Sequence, residues 1–234
     1  SGKGGAIKVS VGNGESGKGG ALDVTAGDTT DDTVGGSISV VSGSATGTTT
    51  SEGGALFVAA GGAKKNTGGA IDVNSGASID TSSGSIKIKT ANAGTAGASG
   101  MLVFSSGTST SGNSGSVMMG SGSAVGGRSG AVALTVGSGD SGAGGYLRFE
   151  SGRSDDVTGG AVTMESGEGS SSSSGSIKIK TANAGAGGAS GRLVFSSGKS
   201  LVGNSGSIYV GTGVGVSGKG GAIKVSVGNG ESGK

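Results

Sequence analysis

Short apolar clusters recur along the chain, and within each cluster apolar residues alternate with other residues. Ile7, Val9 and Val11, for example, alternate with Lys8 and Ser10. A period of two predicts a strand with one buried face. A helix is not expected, because no stripe with a 3.6-residue period is present and glycine interrupts each apolar run.

Each cluster follows a glycine at a nearly constant spacing of 15 or 16 residues, with one step of 18 between Gly36 and Gly54. We call this glycine the anchor, the segment up to the next anchor a repeat unit, and the residue n places after the anchor position n. The anchors are Gly5, Gly20, Gly36, Gly54, Gly69, Gly84, Gly100, Gly115, Gly130, Gly145, Gly160, Gly175, Gly191, Gly206 and Gly221. Fixed-period repeats of this kind indicate a repeat architecture.

A longer period contains these units. Residues 1–18 and 217–234 are the same sequence, SGKGGAIKVSVGNGESGK, and fourteen units separate Gly5 from Gly221, which gives 216 residues. The sequence therefore predicts that 1–216 is one full tandem period and that 217–234 begins the next identical one. GSIKIKTANAG also occurs at Gly84 and again at Gly175, 91 residues later. This nesting is typical of duplicated units.

The predicted fold is all-β, because one strand per unit cannot bury its own face but a stack of strands can. We expect a β-solenoid (β-helix) of about 15-residue units, forming a continuous rod with a thin aliphatic core. The alternative is a fluctuating low-complexity polymer, as the Gly- and Ser-rich composition would allow. Position two is Ile, Leu or Val in every unit, and position four is always apolar. The position-four column is Val9, Val24, Val40, Val58, Val73, Ile88, Phe104, Met119, Leu134, Phe149, Met164, Ile179, Phe195, Val210 and Val225.

The number of units in each coil is left open by the sequence, although one unit per coil is favoured. That arrangement would place Lys8 beside Asp23 and Asp72 beside Lys87, at the ~4.8 Å spacing of paired strands. Two units per coil and a trimer of intertwined chains are the alternatives. In every case glycines are expected at turns and at close backbone approaches.

Composition narrows the chemistry. The chain has 59 Gly, no Pro, Cys, His or Trp, and a net charge of +2. It therefore has no imidazole base, thiolate or disulfide, and the lack of proline excludes collagen. The acidic pairs Asp31-Asp32 and Asp155-Asp156 lack a calcium-loop motif and are interpreted as solvated loop charges. We predict no catalytic, cofactor-binding or metal-binding residues, no nucleic-acid partner and no membrane span.

Stretches such as GSIYVGTGVGVSGKGGAIKVSVGNG and GGAIDVNSG resemble giant Gly/Ser-rich tandem-repeat proteins of the algal extracellular type. The resemblance covers the whole chain and implies secretion and a matrix or adhesive role. The predicted function is accordingly structural and not enzymatic: a segment of a long secreted β-solenoid filament, extracellular fibre or adhesive. Its predicted partners are further copies of itself, end to end or side by side, and extracellular glycans. The alternative is a solenoid binding module that displays a face for glycan, mineral or ice.

Overall fold

A computed structural model describes residues 4–47 and 51–230, and these residues contain no helix and no β-strand. The predicted β-solenoid is therefore wrong, and so are the β-helix and the continuous rod. The chain divides into two halves, Ser1–Met118 and Met119–Lys234, each built from the same kind of unit. The duplicated ends, 1–18 and 217–234, lie partly outside the described residues, at 1–3 and 231–234.

In every complete unit except the one that begins at Gly36, part of which lies outside the described residues, the backbone bends or turns once. In the first half the bends lie at 15–17, 31–33, 64–66, 79–81, 95–97 and 110–112. In the second half they lie at 125–127, 140–142, 155–157, 170–172, 201–203 and 216–218, with a turn at 186–187. Between bends the backbone passes through each apolar cluster without changing direction sharply. The unit found in the sequence is thus also the unit of backbone geometry.

In seven of the units a backbone hydrogen bond closes the loop before the next anchor. The anchor N–H donates to the carbonyl of the glycine at position seven of the preceding unit, as from Gly84 to Gly76 at 2.9 Å. The same bond joins the pairs Gly20–Gly12, Gly36–Gly27, Gly54–Gly43, Gly69–Gly61, Gly160–Gly152 and Gly175–Gly167. We call it the closure bond. It brings the end of one apolar segment against the start of the next, so that consecutive segments meet at a corner.

The anchor must be small because it lies against position six of the preceding unit. A Cβ built on Gly84 would be 3.3 Å from the Cβ of Ser75, and one on Gly145 would be 2.8 Å from Cγ1 of Val136. Position six supplies several of the few half-buried residues in the described chain: Ala26, Ser42, Ser166 and Thr181. The tightest packing is therefore at the corners, between small residues.

The predicted aliphatic core is not formed. No residue in the described ranges is buried, and the side chains at positions two and four are all exposed by about half or more. Where the closure bond forms, it joins position seven to the next anchor, whereas a stack of coils requires each position to pair with its equivalent in the next unit. The remaining described units form neither kind of bond. The N–H and C=O groups of positions one to six are left without a neighbouring strand, and no sheet follows.

Candidate functional site

The apolar side chains at positions two and four form the most extensive feature of the chain, which we call the open apolar face. The exposed fraction of the side chain is lower on this face than at position three: Leu56 is 59% exposed, whereas the next residue, Phe57, is 90% exposed. Ile208 and Tyr209 differ in the same direction. These exposures follow the alternation in the sequence, but the strand with one buried face that the alternation predicted is not formed. In the LVFSSG units the contrast is lost, since Val103 and Phe104 are almost equally exposed.

At one corner, side chains of two consecutive units line a shared concavity. Phe149, Val162, Thr163 and Met164 line a concavity of about 230 Å³, which lies between position four of one unit and positions two to four of the next. The corner beside it is held by two bonds: the N–H of Gly160 donates to the carbonyl of Gly152 at 2.9 Å, and the Ser151 hydroxyl donates to the carbonyl of Gly160 at 2.8 Å. The concavity is open and lined mainly by hydrocarbon, so it can accept an apolar side chain.

The duplicated ends show how each unit covers its neighbours, because identical sequences there have different surroundings. Ile7 at position two is 95% exposed, and its copy Ile223, which has a described unit before it, is 57% exposed. Val11 at position six is 44% exposed where a unit follows, and its copy Val227 is 94% exposed. Position two is therefore covered from the preceding unit and position six from the following one. Neither contact buries the side chain.

The total exposed area is large. The accessible surface of the chain is 23531 Å² for a mass of 21.3 kDa. A folded monomer of that mass would expose about 9,100 Å², and the unfolded chain about 31,000 Å². The chain as it stands removes only about a quarter of its unfolded surface from water, too little to offset the conformational entropy of ordering it.

Charged side chains of the described residues pair locally. Arg148 and Glu150, at positions three and five of one segment, form an ion pair, and so do Arg153 and Asp155. Pairing at a separation of two residues again shows that alternate residues share a side of the segment. The pair predicted between Lys8 and Asp23 in neighbouring units is not formed within the described residues. This agrees with corners in place of stacked coils.

The acidic pairs do not gather into a site. Asp155 is held by Arg153, and the Asp31 amide donates to the Thr29 hydroxyl at 3.2 Å. Within residues 4–47 and 51–230 there is no group of three or more acidic side chains placed to hold a metal ion, and no helix that is long and apolar enough to span a membrane.

The comparisons with known proteins add nothing to this geometry, since the chain matches no protein-family model, no curated protein and no solved structure. The resemblance to algal tandem-repeat proteins therefore remains an expectation from the sequence.

Sequence reasoning missed the corner. Glycine stands at position seven in most units, and the carbonyls of Gly27, Gly43 and Gly76 accept closure bonds. Glycine at this position does not by itself produce the bond, since Gly107 and Gly137 accept none.

Proposed function

We propose that the chain is a segment of a secreted structural protein, an extracellular fibre or adhesive built from tandem repeats, with no catalytic role. The observation that carries the proposal is the recurrence of one corner geometry in seven units, with five closure bonds in the first half, such as Gly69–Gly61, and two in the second, such as Gly175–Gly167. A local rule of this kind can be continued for any number of units. Material whose role is mechanical benefits from that property.

The surfaces of the units suit contact with water and with other chains. The bend-containing loops are rich in Ser and Gly and are almost wholly exposed, as in residues 170–174. Copies of the chain and extracellular glycans are the proposed partners. The proposal includes no particular glycan, because no regular row of side chains selects one.

Immunogold labelling of intact source cells, with antibodies raised against the purified chain, tests this function. Label on the cell surface or in the surrounding matrix is expected, with permeabilised cells as the reference. Label that is found only after permeabilisation would contradict the extracellular role.

A further inference from the structure

The open apolar face has no partner within the described chain, and neither does most of the backbone. Only nine backbone–backbone hydrogen bonds are formed among the described residues, whereas a folded protein has about two for every three residues. The segments between corners thus present both hydrocarbon and unpaired N–H and C=O groups to solvent. Exposed segments of this kind are templates for association with another chain.

From this geometry we infer that the open apolar face is the interface with further copies of this same chain, and that association through it is what removes the face from water. The inference rests on the proposed structural function for the choice of partner. It goes further by assigning the contact to positions two and four, with position three taking part only where it lines a concavity, as at Thr163.

The large exposed area of the chain favours an extended partner. The chain exposes about 14,000 Å² more than a folded monomer of its mass would, whereas a typical complex buries only about 800 Å² on each partner. A compact partner at one place would leave nearly all of the face in water. A partner that meets the face must therefore follow it from unit to unit.

Period and charge favour a copy of the chain as that partner. Another copy presents the same alternation and the same 15- or 16-residue unit, and its corners offer apolar concavities such as that at Phe149 and Met164. The extra residues of the 18-residue step fall in the loop closed between Gly43 and Gly54, so that they do not interrupt the face. Because the net charge is only +2 over 234 residues, electrostatic repulsion between copies of the chain is weak.

Two matched triple variants test the interface. The inner triple replaces Leu56, Val117 and Ile208 with Asp, and the outer triple replaces the following residues, Phe57, Met118 and Tyr209, with Asp. Each triple removes three large apolar side chains and adds three negative charges in the same three units. The inner residues are about half exposed and the outer ones about nine-tenths exposed. Since the outer triple removes the larger side chains, an effect of apolar area alone would be greater for the outer triple.

Sedimentation velocity and light scattering of the purified chain, over a range of concentrations, give the mass. We expect the original chain and the outer triple to form species at multiples of 21.3 kDa, and the inner triple to shift towards the single-chain mass, with an association constant lowered by at least about tenfold. A wild-type chain that stays at the single-chain mass throughout would overturn the inference, and so would equal masses for the two triples.

Because these measurements use purified protein, an intracellular location would refute the proposed function and leave the interface standing. A monomeric extracellular chain would do the reverse.

Discussion

Replacement of an anchor glycine tests the corner most directly, and Gly84→Val is the sharpest case. The N–H of Gly84 makes its closure bond to Gly76 at 2.9 Å, and a Cβ at residue 84 would lie 3.3 Å from the Cβ of Ser75 and 3.5 Å from the amide nitrogen of Gly76. The two γ-carbons of valine have to occupy space beyond that Cβ. We therefore expect the corner to open and the closure bond to break.

The size of the effect follows from the energy of one exposed backbone hydrogen bond. Such a bond contributes about 0.5–1.5 kcal/mol net, which corresponds to amide protection from exchange of roughly 2- to 13-fold at RT of about 0.59 kcal/mol. In the Gly84→Val variant, the amide of residue 84 should lose this protection completely. No larger effect is expected, because the corner has no buried core beneath it.

Amide hydrogen exchange followed by NMR, corrected for intrinsic rates, measures the change. The Gly175 amide is an internal control: it lies in the second copy of GSIKIKTANAG, donates to Gly167 at 2.9 Å, and has the same 3.3 Å approach, to Ser166. It should keep its protection while residue 84 loses it.

Gly76→Ala is the matched variant at the other end of the same bond, where a Cβ would meet nothing within 4 Å. It should leave the exchange rate of the residue 84 amide unchanged, against the roughly 2- to 13-fold increase expected for Gly84→Val. If the amides of residues 84 and 175 are equally protected in Gly84→Val, or if Gly76→Ala is as disruptive as Gly84→Val, the corner geometry is wrong.

Two further predictions concern a loop and an ion pair. Gly126 has a φ of 72°, whereas Gly127 has no positive φ, and a Cβ at either residue would meet nothing within 4 Å. Gly126→Ala should therefore destabilise the local loop conformation by about 1–2 kcal/mol and shift the NMR resonances of the bend. Resonances that move equally with Gly127→Ala would count against the left-handed backbone at Gly126. Arg148 and Glu150 are both about two-thirds exposed, and ion pairs of this kind contribute at most about 1 kcal/mol to stability. Glu150→Gln should therefore leave the exchange protection of the Gly160 amide unchanged within about twofold. A larger fall in protection would show that the ion pair supports the corner.

The candidate interface was partly visible in the sequence. The alternation at Leu56 and Phe57 is accompanied by a difference in exposure, but both residues are exposed and the buried face that the alternation predicted is absent. Alternation says nothing about what covers the apolar side. The sequence pattern predicts that the apolar side is buried in a core, and this prediction is wrong, because the side chains there are exposed.

The sequence by itself determined the local rules. The spacing of the anchors sets one bend per unit, and glycine at positions such as Gly84 permits the 3.3 Å approach to Ser75. These features depend on residues within one or two units of each other, so a single sequence contains them.

Only the tertiary structure decided how one unit follows the next. A free N–H at an anchor can bond to the equivalent position of the preceding unit, which gives stacked coils, or to position seven, which gives a corner. Both choices satisfy the same apolar pattern, and they differ by backbone hydrogen bonds that the side-chain pattern does not encode. The chain takes the corner at Gly84 and Gly76, and the apolar face that a stack would have buried is left open.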